Sequence, residues 1–176
     1  MTMTDRYYQP PTWVRTRLVN PVLRALVLRA GLGRRGDQNL MRVLRVRGRR
    51  SGRSYEVPVR IAAWNGQRYI LSLLGESQWA RNLRAAGTAQ LLLGRQVEPV
   101  IAHELQTQEK AAFLAWYCQQ PEHRLSVRSG LKASTANLTP AEVDRLAHQY
   151  PVFRLEPAGA LGQGEQRDAS RWASPW

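Results

Sequence analysis

Hydrophobic positions recur along this chain with two different periods, and the changeover near Leu40 divides it. Val19, Val22, Leu23, Leu26, Val27 and Ala30 fall on one helical face. Arg17 and Arg24 lie opposite, with Arg15 and Arg29 near the apolar edge. Asn20 before Pro21 supplies an N-cap and a proline at the first helical position, and Gly31 a stop. The pattern predicts a helical segment over 13–35, after a loose polar tail over 1–12. Such a segment either covers a core or lies on an anionic membrane with its arginines at the headgroups.

From Leu40 the period becomes two. "LMRVLRVRG" and "SYEVPVRIAAW" read as strands, and Asn65-Gly66 is a type I′ hairpin signal joining the second to "QRYILSLLG". "QWARNLRAAG" is a short helix ended by Gly87. "TAQLLLG" and "RQVEPVIAHEL" form a further hairpin about Gly94-Arg95, with Pro99 at a bulge or an edge. A helix follows from Thr107 to about Gln119, burying Phe113, Trp116 and Tyr117. Thr139-Pro-Ala-Glu142 is a capping box opening a helix to about Gln149, and "PVFRLEP" is a closing strand. About six short, mostly antiparallel strands with N-terminal and inserted helices predict an α+β fold, mainly β, built as a small barrel. One domain over 1–157 is expected, with 158–176 a disordered tail.

Charge changes the picture more than size does. The 176 residues carry 26 basic against 13 acidic side chains, a net +13, and only Lys110 and Lys132 are lysines. Arginine's planar fork suits phosphate and carboxylate, so an anionic partner is expected: a phosphorylated cofactor, an acidic lipid surface or nucleic acid. Cys118 is the sole cysteine, and His103, His123 and His148 stand far apart without carboxylates at ligand spacing. Intrachain disulfides are excluded and no metal site is legible. No signal-peptide pattern or spanning apolar run is seen, which sets the expectation of a cytoplasmic protein, peripheral at most to the inner face of the membrane.

Two stretches offer chemistry. In "GRRSGR", successive backbone N–H groups, a curling glycine, a serine hydroxyl and Arg49, Arg50 and Arg53 can cradle a phosphate, although no GK[ST] closes a Walker loop. An exposed basic hairpin tip is the plainer alternative. In "GESQWARNLRAAG", Trp79, Asn82 and Leu83 share a helix face. There Trp79 could flank a flat ring and Asn82 bond its polar edge, or the tryptophan could simply be core.

Taken in order, "GRRSGR", "VPV", an Asn-Gly hairpin, "GESQWARNLRAAG" and a strand pair resemble the bacterial deazaflavin-dependent nitroreductase and quinone reductase family. The likeness runs from about Leu40 to Leu105 and includes the closing "YPVFRLEP". It implies a split β-barrel that uses coenzyme F420, a phosphate-bearing deazaflavin with a glutamate tail. It also implies an oxidoreductase transferring a hydride to a flat, electron-poor acceptor such as a quinone or nitroaromatic. By the same resemblance, Arg49, Arg50, Ser51, Gly52 and Arg53 meet the phosphate and tail. Val57, Pro58 and Val59 line the deazaflavin by backbone contacts, and Trp79, Asn82 and Leu83 complete the ring pocket. Tyr55 stands where many members carry another basic residue. No catalytic residue is assigned; Tyr117 and Tyr150 are candidate donors over the ring or plain core.

The missing catalytic triad is no objection, because the cofactor carries the hard chemistry. Alternatives from other classes are a barrel binding flavin mononucleotide (FMN) or a tetrapyrrole, and a non-catalytic protein holding membrane or nucleic acid through its arginines. Nucleic acid is disfavoured, since the aromatics lie mainly in helices and not between basic strand residues. The acceptor and the oligomeric state are not legible.

Overall fold

The computed structural model describes residues 41–131 and 138–160. The expected tail 1–12 and helical segment 13–35 lie outside these residues, as does most of 158–176, of which Ala158–Ala160 form a short 3-10 turn. Among the described residues there are six strands: β1 (Met41–Arg47), β2 (Ser54–Trp64), β3 (Gln67–Leu71), β4 (Thr88–Leu93), β5 (Gln96–Glu104) and β6 (Val152–Pro157). The helices α1 (Gln78–Ala86), α2 (Thr107–Gln119) and α3 (Pro140–Gln149) join them among the described residues, with shorter helical turns between Pro121 and Leu131.

Every strand pair is antiparallel, and the order β1-β2-β3-β6-β5-β4 closes into a barrel. Local sequence explains the turns. Asn65 and Gly66 both adopt positive φ, 49° and 72°, as a type I′ turn requires. Thr139 and Glu142 form the capping box at the start of α3, each satisfying an N–H of the other's segment.

Alternation along the strands sorts side chains between two main cores. Leu44, Val59, Ile61, Leu91, Val100 and Phe153 point inward, and Ala80 and Leu83 of α1 join them inside the barrel. On the outer wall, Tyr69 and Val152 pack against Phe113, Leu114 and Tyr117 of α2 and Leu146 of α3. Trp116, expected on the buried face of α2, is only partly buried there.

Pro99 is tolerated because of where pairing ends. Its register with β4 is unbroken (Gln90↔Pro99), so there is no bulge, and β6 pairs with β5 only from Val100 onward. Pro58 is placed in the same way. It pairs with Val43 of β1, while β3 begins pairing with β2 only at Ile61. Each proline therefore sits in a stretch that a described strand pairs on one side alone, where a missing N–H is best tolerated.

Candidate functional site

The β1–β2 turn is a tight, self-bonded loop. Gly48 N–H donates to the Arg53 carbonyl at 2.8 Å, and Gly52 N–H to the Gly48 carbonyl at 2.9 Å. Gly52 takes φ +67°, which disfavours any side chain there. Gly48 is crowded for a different reason: an added Cβ would lie 2.4 Å from Tyr55 Cε2 and 2.9 Å from Ser51 Oγ, so those side chains would have to shift. The Tyr55 ring thus packs directly on the turn, and its hydroxyl lies 3.1 Å from Ser51 Oγ. That serine oxygen also accepts from Arg53 N–H at 3.3 Å.

Helix α1 holds the turn from behind. Ser77 caps its N-terminus by accepting from Ala80 N–H, and Gly87, in the left-handed region, closes its C-terminus. Between these caps, Asn82 is buried, and its Oδ1 accepts from Arg49 twice: from the backbone N–H at 3.3 Å and from Nη1 at 2.8 Å. Gln78 Oε1 accepts from the same Nη1 at 3.1 Å. The helix is anchored in turn by Arg84, which bonds the carboxylates of both Glu76 and Glu104. Lys110 joins Glu104 at 3.0 Å. Hydrogen bonding from Arg84 holds the Glu76 carboxyl below its usual range. Burial pushes Glu104 the other way, but Arg84 and Lys110 outweigh it.

What the turn leaves free defines its chemistry. Among the described residues, the guanidiniums of Arg47, Arg50 and Arg53 have no acidic partner, and the backbone N–H groups of Arg50 and Ser51 make no hydrogen bond. Arg47 belongs to this group although the sequence reading passed over it. A Cβ on Gly52 would meet its Nη2 at 3.5 Å, so its guanidinium lies against the glycine. Unpaired cations around open amides and a left-handed glycine are the chemistry from which an anion seat can be built.

Next to this turn, β2 has one edge that no described strand pairs. Ser54–Arg60 pairs with β1 on one side and with no described strand on the other. Val57, Pro58 and Val59 lie there, offering backbone groups along an open edge. Val57 and Val59 face the inner core, and Trp79 packs partly buried against the same cluster, its ring 6.0 Å from Phe153. Leu83 is fully buried, so it presents no surface to a ligand and supports this wall from inside.

The structure therefore brings together two sequence stretches read separately, and it adds Arg47 and Gln78. The strand pattern already carried a signal for Arg47, two residues before Arg49 at the end of β1. Gln78 could be read only through its contact. The two tyrosines lie elsewhere. Tyr150 donates to the carbonyls of Gly130 and Leu131 at 3.4 and 3.3 Å, and Tyr117 stacks on His123 at 3.9 Å, both in the outer core. A separate cavity of about 310 Å³, lined by Trp64, Trp116 and His123, sits at the other end of β2. Burial lowers the His123 imidazole to about 4 and raises the Cys118 thiol to about 11. Among the described residues no cluster suits a metal ion, and no helix is long and apolar enough to cross a membrane.

The described residues thus form a closed antiparallel barrel of the split-barrel class, with unpaired cations and open amides at the β1–β2 turn beside a strand edge that no described strand pairs. Residues 16–127 match the family model of the F420H(2)-dependent quinone reductases, and the chain belongs to that family. It is accordingly an F420-dependent reductase whose cofactor is coenzyme F420. No curated protein matches the chain. Among solved structures, an F420-H2 dependent reductase (FDR-A) is 20% identical over 69% of this chain and 100% of its own, with TM-score 0.42. A conserved hypothetical protein from Mycobacterium tuberculosis is 18% identical over 70% of this chain and 74% of its own, with TM-score 0.39. PhzG from Burkholderia lata, in complex with tetrahydrophenazine-1-carboxylic acid, is 15% identical over 86% of this chain and 82% of its own, with TM-score 0.41.

Proposed function

We propose that the chain passes a hydride from reduced coenzyme F420 to a flat, electron-poor acceptor of the quinone or nitroaromatic class. The observation that carries this reading is the anion seat of the β1–β2 turn, tied by Arg49 and Asn82 to the helix that bears Trp79. Three unpaired guanidiniums and two open amides fit a cofactor with both a phosphate and an acidic tail. Arg47, Arg50, Arg53, Ser51 and Gly52 hold those groups. Arg49 shapes the turn and offers the remaining donors of its fork. The open edge of Val57, Pro58 and Val59 meets the ring through its backbone, and Trp79 flanks it. Asn82 and Leu83 support this wall from behind.

When bound, the reduced deazaflavin supplies the hydride. The chain's own work is to neutralise the anionic end, orient the ring against a rigid barrel wall and keep water from one face. Neither Tyr117 nor Tyr150 is needed as a donor in this scheme. The net charge of +13 suits a protein that meets anionic membranes and draws a lipid-soluble quinone from them.

Titration of the purified protein with F420 and with FMN tests the cofactor assignment. F420, with its extra carboxylates, is expected to bind more tightly, and equal or tighter FMN binding would overturn it. Oxidation of reduced F420, followed by its absorbance with a soluble quinone or a nitroaromatic present, tests the acceptor class. No acceleration over the uncatalysed rate with either would refute that part.

A further inference from the structure

The β1–β2 turn carries one nucleophilic hydroxyl, and it stands among the groups that suit a phosphate. Ser51 is exposed at the tip of the turn. Its Oγ is folded back over the loop, 3.1 Å from the Tyr55 hydroxyl and accepting from Arg53 N–H at 3.3 Å. The guanidinium of Arg47 lies against the next residue, Gly52. Those of Arg50 and Arg53, one residue before the serine and two after it, have no acidic partner among the described residues. Arg49 differs, because Asn82 and Gln78 already hold its fork. Ser54, exposed as well, belongs to the strand ladder opposite Arg47 and not to the turn.

We propose that Ser51 is a phosphorylation site, and that its phosphate closes the proposed anion seat against F420. The inference rests on the cofactor reading of that seat. A basophilic serine kinase reads arginines ahead of its target by charge, and here Arg47, Arg49 and Arg50 precede Ser51. In the transfer, the bond from the γ-phosphorus of ATP to its bridging oxygen breaks and the Ser51 Oγ–P bond forms. ADP leaves, and the hydroxyl proton passes to the kinase's base. A phosphoserine carries a charge of about −1.5 to −2 at pH 7 and three acceptor oxygens, which an arginine cluster holds by charge-assisted hydrogen bonds. Tyr55 and Arg53 N–H, already bonded to Oγ, are further donors at hand. Tethered by one side chain, the phosphate acts at an effective concentration on the order of millimolar, so it outcompetes dilute cofactor for the same cations. Linkage makes the effect reciprocal: bound F420 shields Ser51 from the kinase.

Purified protein treated with Mg-ATP and a basophilic kinase, beside Ser51→Ala, tests this. Peptide mass spectrometry is expected to place phosphate on Ser51, and F420 to slow its incorporation. The phosphorylated protein should bind F420 at least about tenfold more weakly, without a lower Tm. By ³¹P NMR its phosphate should titrate below the ordinary second pKa of about 6, and return towards it when Arg50→Ala and Arg53→Ala are combined. Phosphate on Ser54 alone or on neither serine, an ordinary phosphate pKa, a lowered Tm or undiminished F420 affinity would each overturn the inference. Unmodified protein that binds no F420 would instead overturn the cofactor reading, and the closure with it.

Discussion

Asn82 Oδ1 receives both the backbone N–H and the guanidinium of Arg49 across 33 residues of chain. One buried amide thus joins the basic turn to helix α1. Asn82→Leu leaves these donors unsatisfied and should cost about 1–3 kcal/mol of stability while loosening the turn. Asn82→Asp keeps an acceptor for Arg49 but puts a negative charge beside the proposed anion seat. The aspartate variant is expected to melt near wild type and yet bind F420 at least about tenfold more weakly, as fluorescence titration would read. Wild-type affinity in the aspartate variant would remove the anion from that side of the turn.

Arg50 and Arg53 point into solvent with no acidic partner among the described residues. Each alanine substitution should weaken F420 binding by about 10–100-fold, the range for a charge-assisted contact to phosphate or carboxylate, with little change in Tm. High salt should shrink the difference. Arg49→Ala should behave otherwise, lowering Tm as well as affinity because it also releases Asn82. Identical melting of all three variants would contradict this division of labour.

Gly48 has no room for a methyl group because the Tyr55 ring occupies the space. Gly48→Ala should therefore destabilise the protein by about 1–3 kcal/mol. Adding Tyr55→Ala removes the obstructing ring, so the double variant should recover part of that loss. Strictly additive losses in denaturant melts would mean that the ring is not what excludes the methyl.

Arg84 ties α1 to β5 through Glu76 and Glu104. These groups are partly exposed, so Arg84→Met should cost only about 1–2 kcal/mol, and less in high salt. A loss that is insensitive to salt would point to packing in place of charge.

His123 gives a pH signature of definite sign. Burial holds the folded imidazole neutral down to about 4, against 6.5 for the ordinary side chain. Above about 6.5 it is neutral in both states and its contribution is complete. As pH falls from about 6.5 towards 4, the unfolded chain takes up the proton first and stability declines. His123→Phe retains an aromatic ring against Tyr117 and should flatten Tm against pH in that window. The same slope in the variant would assign the loss to other groups. The carboxylates of Glu76 and Glu104, held low by Arg84, lose their contribution only at more acid pH, through and below the carboxylate range.

Local chemistry explains what was legible without a structure. Asn65-Gly66 announces its turn because few other pairs accept two positive φ values, and Thr139-Pro-Ala-Glu142 announces a helix because its side chains satisfy their own N–H groups. Both signals need only neighbours in sequence. From such pieces the sequence alone determined six antiparallel strands, the placing of α1 to α3 and a basic turn between β1 and β2. Barrel closure decided the rest. It brought Asn82 under Arg49, so an amide expected at a ring edge has its oxygen committed to the turn. It sank Leu83 into the interior, engaged Tyr150 with backbone carbonyls, and set Arg47 against Gly52. Side-chain type and spacing state what a residue can do. Which partner takes its donors and acceptors depends on distances across the barrel, and those exist only once β1 and β4 have met.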